Sequence, residues 1–118
     1  MLPFCTAGRL LRLEGLGTVV NAAAELSIVI PSFNEERRLA PTLEKIAAYI
    51  QEKRPNTEVI VVDDGSTDQT AAIAESWKDH IPGLRVVSNG GNRGKGFSVR
   101  HGSLEALPHS HEICELEM

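Results

Sequence analysis

Three short runs hold the polar residues best suited to chemistry: Pro31-Ser32-Phe33-Asn34-Glu35-Glu36, Asp63-Asp64-Gly65-Ser66 and Asn92-Arg93-Gly94-Lys95-Gly96. Asp63 and Asp64 close an apolar run. A carboxylate there can accept hydrogen bonds from a base N–H or from ribose hydroxyls. Gly65 permits a sharp turn and the close approach of a ligand. An isolated Asp-Asp-Gly reads more readily as a turn cap, but the neighbouring Pro-Ser-Phe-Asn-Glu run tips the balance toward binding. Phe33 suits either the underside of a base or an ordinary core. Glu35 lies between a strand and a helix, where the helix dipole alone stabilises a carboxylate by roughly 0.3–1 kcal/mol. Arg93 and Lys95 put cations on a glycine turn, which suits a diphosphate. The turn is not a Walker A loop, because Gly96 stands where Ser or Thr is required. Nor is it a dinucleotide fingerprint, because Val99 takes the place of the third glycine. A solvated basic hairpin is its plain alternative.

These residues need elements to position them. Residues 26–31 are continuously apolar, as in a strand buried on both faces, and Pro31 should end it. Leu39, Leu43, Ile46, Ala47 and Ile50 share one helical face. Pro41 is best tolerated in a first turn, so the regular helix should begin near Ala40. A second strand is expected over 58–62. Ser66 with Gln69 reads as a capping box opening a second helix, with Ala72, Ile73 and Trp77 on its buried face. Residues 84–88 make a third strand, and 97–107 a third helix supported by Phe97, Val99, Leu104 and Leu107. Strands alternating with helices imply an α/β fold, a Rossmann-like three-layer α/β/α with a mostly parallel sheet. In such sheets ligands bind at the carboxyl ends of the strands.

Composition narrows the classes. The chain has 118 residues, enough for one domain, with 12 basic and 16 acidic residues and a net charge of −4. That balance argues against nucleic acid as the partner. No apolar run approaches the ~18 residues of a membrane span. Arg9, Arg12 and Glu14 interrupt the N-terminal apolar stretch, against a cleaved leader. Cys5 and Cys114 read as free thiols in a reducing compartment. His101, His109, His111 and Cys114 match no standard zinc spacing and read as a solvated tail rather than a metal site.

Taken together, the motifs resemble the family 2 glycosyltransferases with the GT-A nucleotide-sugar fold. The runs at 31–39 and 92–96 are most similar to the branch of dolichyl-phosphate glucosyltransferases and mannose synthases. The resemblance covers Leu26 to Ala106. It implies an N-terminal extension at 1–25, a nucleotide-sugar-binding half at 26–106 and an atypical tail at 107–118. It also implies transfer of a hexose from UDP-glucose or GDP-mannose to a polyprenyl or dolichyl phosphate. Pro31, Phe33 and Glu35 would line the nucleotide pocket. Val62 and Asp64, with Asp63, would meet base and ribose, and Arg93 and Lys95 the donor diphosphate. No catalytic residue is assigned. The family holds Mg²⁺ or Mn²⁺ on an Asp-x-Asp, which this chain lacks. Glu115-Leu116-Glu117 falls near that register, but the preceding His109-Ser110-His111-Glu112 is not an apolar strand, so no metal site is assigned. A truncated enzyme is expected, cytoplasmic or at the cytoplasmic face of a membrane, with homo-oligomers allowed. The alternatives are an inactive nucleotide-binding fragment and a non-binding remnant that associates through an open sheet edge.

Overall fold

The computed structural model describes residues 25–53, 56–106 and 112–117. Strand β1 (Leu26–Ser32) leads to helix α1 (Glu36–Glu52), then β2 (Thr57–Asp63), α2 (Thr70–Ser76), a 3₁₀ turn, β3 (Leu84–Ser88), α3 (Lys95–Ala106) and β4 (Ile113–Glu115). The sheet order is β3-β2-β1-β4, and every pair is parallel. The three-layer α/β expectation holds.

Strand alternation sorts the core into two halves. Ile28 and Ile30 of β1, with Val59 and Val61 of β2, pack under Leu39, Leu43, Ile46 and Ile50 of α1 and Ala74 of α2. Val29, Ile60 and Val62 face the other way, onto Ala106 of α3. All four β1 and β2 residues of the first group are fully buried, as expected of strands covered on both faces.

Several sequence expectations are corrected here. Helix α1 begins at Glu36, not Ala40, so Pro41 lies inside it. The first N–H groups of the helix, which have no acceptor within it, find side chains instead: Glu35 N–H donates to Thr70 Oγ1 and Glu36 N–H to Asp68 Oδ2. Strand β1 continues through Pro31 to Ser32 beside β2. The odd residues of β1 bond toward β4: Ser27 N–H donates to Glu112 O, and Leu116 N–H to Val29 O. Pro31 is next on that side and has no N–H to give, so it ends the pairing with β4 rather than the strand.

Helix α2 opens at Thr70, not at Ser66, and buries Thr70 and Ala74 while Ala72 is exposed. Helix α3 buries Ser98, Gly102 and Ala106. Phe97 and Leu104, expected beneath it, are exposed. Small residues win that face because the helix lies too close to β1 and β2 for larger ones: a Cβ on Gly102 would come within 2.5 Å of Val29 Cγ1.

The stretch read as a tail contains a strand. Ile113–Glu115 pairs with Ser27–Val29. Cys114 and Leu116 are buried with the α1–α2 core. Cys114 is disulfide-bonded, which corrects the free-thiol expectation. The N-terminal extension, except Glu25, and His109 and His111 lie outside the described residues. Among the described residues no helix is long and apolar enough to cross a membrane.

Candidate functional site

Strand alternation and the β1–β2 register bring the two acidic runs together at the carboxyl end of the sheet. Ser32 pairs with Asp63. A cleft of about 200 Å³ opens there, walled by Pro31, Ser32, Phe33 and Glu35 on one side. Asp64, Lys95, Ser98 and Glu117 wall the other. Of the residues singled out in the sequence, Pro31, Phe33, Glu35, Asp64, Lys95 and Glu117 thus meet in one place. Phe33 is 44% exposed, so the core alternative is excluded and its ring is available to a flat ligand.

Others lie elsewhere. Val62 is fully buried and packs against α3, so its side chain is core. Asp63 is also buried, and its Oδ1 accepts the Ser66 N–H at 3.2 Å, the turn-capping role. Arg93 lies outside the cleft wall with its guanidinium 5.4 Å from the Phe97 ring centroid. Ser32 and Ser98 line the cleft but were not singled out. No local pattern marked Ser98, which faces inward because α3 packs closely on β1 and β2.

Asp64 decides the shape of the far wall. It is 5% exposed, and its carboxylate accepts Arg93 N–H at 2.6 Å, Gly94 N–H at 2.9 Å and the Asn89 side-chain amide at 2.8 Å. The first two are amides at the threshold of α3, where a backbone nest and the helix dipole attract an anion. That nest is therefore filled by a side chain of the protein. The Arg93 and Gly94 amides are thus already taken, while the Lys95 side chain lines the cleft. Burial pushes the Asp64 carboxyl up. The hydrogen bonds from Arg93, Asn89 and Gly94, with the Arg93 charge, outweigh it and hold the group below its usual range. Gly65, at φ +78°, makes the sharp turn as expected. What approaches it closely is the loop itself: a Cβ there would meet Asn92 N and Gly91 C at 2.7 Å.

The remaining motif residues lace the two acidic segments to each other. Asn34, at φ 50°, occupies the left-handed region that Asn tolerates. Its N–H donates to Ser66 Oγ at 2.9 Å, and its Oδ1 accepts Thr67 N–H at 2.9 Å. Glu36 Oε1 accepts Gln69 N–H at 3.1 Å. Asp68 accepts from Thr70 N–H at 2.9 Å, from the Thr70 hydroxyl, and from Glu36 N–H at 3.3 Å, so one carboxylate serves the first turns of both α1 and α2. Desolvation raises the Asp68 carboxyl, and the hydrogen bonds from Thr70 and Glu36 more than reverse this, leaving it below its ordinary value.

Asp68→Ala should therefore lower stability, read as an earlier midpoint in urea denaturation, because the first turns of α1 and α2 lose their shared acceptor. Both depressed carboxyls contribute stability above their ordinary value of 3.8, and it is lost as pH falls through their folded values. Melting temperature should thus drop on acidification below about pH 4, and Asp68→Asn should flatten that drop. An unchanged acid limb in the variant would show that Asp68 carries none of it.

Glu115 and Glu117 stand two residues apart at the end of β4, on the face that looks toward α3. Lys95 ion-pairs with both, 3.7 Å from Glu115 and in contact with Glu117. Two carboxylates are oxygen donors of the kind Mg²⁺ and Mn²⁺ prefer. Their charge is already met by an ammonium, and the described residues hold no group of three metal-ligating side chains. As arranged, they do not fit a resident divalent ion.

The family model for glycosyl transferase family 2 matches residues 27–107. This chain belongs to that family. Dolichyl-phosphate beta-glucosyltransferase of Drosophila melanogaster is 42% identical over 89 residues, covering 70% of this chain and 27% of the relative. The Homo sapiens protein of the same name is 40% identical over 85 residues, covering 66% and 26%. The chain thus spans about a quarter of these relatives' length. Among solved structures, Staphylococcus aureus TarS residues 1–349 in complex with UDP-GlcNAc superposes with a TM-score of 0.70 at 26% identity, over 79% of this chain and 26% of that one. The mannosyltransferase PcManGT of Pyrobaculum calidifontis, in complex with GDP-Man and Mn²⁺, gives 0.55 at 27% identity, over 77% and 28%. The fold is GT-A, and the matched stretch takes in β1, β2, β3 and the helices between them with all of the cleft lining except Glu117.

Proposed function

We propose that the cleft holds the nucleotide diphosphate of a sugar donor, and that the whole enzyme transfers a hexose from UDP-glucose or GDP-mannose to a polyprenyl phosphate such as dolichyl phosphate. The observation that carries this is the convergence of an exposed ring, Phe33, two carboxylates, Glu35 and Asp64, and one ammonium, Lys95, at the carboxyl end of the sheet. The ring suits the base, Glu35 the ribose, and Lys95 the diphosphate. Asp64 acts by holding the wall on which Lys95 stands. The names of the relatives favour a dolichyl phosphate acceptor and glucose as the sugar. A phosphate acceptor is already anionic at neutral pH, so little general-base help is needed. Barrier lowering then falls mainly on charges that stabilise the departing diphosphate. Divalent-metal use by the whole enzyme rests on the family and on the Mn²⁺ of the Pyrobaculum neighbour. A lipid-linked acceptor would put the enzyme at a membrane surface.

Lys95 gives the test. Its charge is shared with Glu115 and Glu117, so Lys95→Ala removes an attraction and exposes two repulsive carboxylates to the diphosphate. Calorimetry should show UDP or GDP affinity falling by about tenfold or more, with the plain nucleoside little affected. The difference should shrink as salt rises. Equal losses for nucleoside and diphosphate would remove Lys95 from the phosphate site.

A further inference from the structure

We infer that His101 is a positioning residue for this cleft, setting the Asp64 carboxylate and the glycine loop through Asn89. The inference rests on the nucleotide-binding reading only for its affinity arm. His101 belongs to none of the three polar runs and does not line the cleft. It sits half-buried on α3, with its Nδ1 2.7 Å from Asn89 Oδ1.

The polarity of that contact follows from its neighbours. Asn89 is 8% exposed, and its amide nitrogen lies 2.8 Å from Asp64 Oδ1 and 2.8 Å from Ser98 Oγ. An ionised carboxylate only accepts, so the Asn89 NH₂ faces Asp64 and the Asn89 oxygen faces His101. That oxygen cannot donate. His101 Nδ1 must therefore carry the proton. The Ser98 hydroxyl, having accepted from Asn89, donates to Gly94 O at 3.0 Å. A single directed chain results: His101 to Asn89, Asn89 to Asp64 and Ser98, Ser98 to Gly94, with Asp64 receiving the Arg93 and Gly94 amides.

Each member is buried or half-buried, where a lost partner is expensive and directed chains act as a unit. Without the His101 donor, the buried Asn89 oxygen loses its partner, and the amide is held only through its NH₂ on Asp64 and Ser98. Lys95 and Ser98, the cleft residues on this wall, flank the Gly94 carbonyl that the chain ends on. The imidazole is held in place by the Phe97 ring, edge-on at 6.2 Å between centroids, and its Nε2 lies 3.9 Å from Glu105. Glu105 is in turn bound to Arg85 at 3.2 Å.

The experiment combines ¹⁵N NMR of the imidazole with two variants of the full chain. The neutral ring should be the Nδ1–H tautomer, the reverse of the form favoured in water. His101→Asn places an amide donor near the Nδ1 position, whereas His101→Leu offers none. His101→Leu should shift the Arg93 and Gly94 amide resonances and weaken UDP binding by about tenfold, and His101→Asn should restore most of both. A merely structural histidine would lose stability in both variants without this rescue. An Nε2–H tautomer, or identical Gly94 shifts in the Asn and Leu variants, overturns the inference. If the parent chain binds no UDP while tautomer and amide shifts come out as stated, the inference about the loop stands and the proposed function fails instead.

Discussion

Asp64→Ala should destabilise the fold by about 3–5 kcal/mol, because it removes the common acceptor of three hydrogen bonds to a charged group. The carboxylate is almost fully buried, so water cannot readily replace it. Its loss orphans two amides at the start of α3, where a helix has no internal acceptors to offer. The loop it holds contains Gly90, Gly91 and Gly94, all at positive φ, and such a sequence has much conformational freedom to regain. Against a typical domain stability of about 5–15 kcal/mol, the effect is large. Urea denaturation measures it. Asp64→Asn keeps one acceptor and the shape but sets an NH₂ against the same donors, so its loss should be intermediate. UDP affinity should fall in parallel with loop order. If Asp64→Ala keeps stability within about 0.5 kcal/mol of the parent while nucleotide binding disappears, Asp64 is a ligand contact and not the anchor of the loop.

Gly102→Leu should cost about 3 kcal/mol or more, even though Leu favours a helix over Gly by close to 1 kcal/mol. The first added carbon already lies 2.5 Å from Val29 Cγ1 and 3.0 Å from Val62 Cγ2. Neither valine has room to retreat. Val29 is on β1, hydrogen-bonded between β2 and β4, and both are fully buried. Helix α3 must therefore lift from the sheet, and Lys95 and Ser98 would leave the cleft with it. Val62→Ala removes part of the clash, so the double variant should be more stable than the sum of the single effects. Strict additivity would show that helix and sheet are not in close contact at Gly102.

The apolar periodicity of α1 is legible because it is local. Leu39, Leu43, Ile46 and Ile50 repeat on one face whatever lies opposite, and all four are buried. Strand β3 runs over the residues read from its apolar run. The face of α3 was not legible in the same way. Its inward residues, Ser98, Gly102 and Ala106, are chosen by closeness to β1 and β2, and closeness leaves no apolar stripe in the sequence. Strand β4 escaped for a related reason. Ile113-Cys114-Glu115 is too short to announce itself, and its pairing partner lies more than eighty residues earlier, at Ser27. Ser66 did look like a helix cap. It is spent instead on the Asn34 amide, and Asp68 takes over the capping of Thr70.

What the sequence by itself determined is the alternation of strands and helices, the family, and the clustering of Phe33, Glu35, Asp64 and Lys95 at the carboxyl end of the sheet. Those follow from apolar runs and turn residues that act over a few neighbours. Only the tertiary structure decided which polar group answers which. Asp64 meets amides 29 and 30 residues further on, and Lys95 meets Glu117, 22 residues away. A hydrogen bond needs its partners placed within a few tenths of an ångström. That placement depends on where each crossover returns the chain, which no local pattern of residue types encodes.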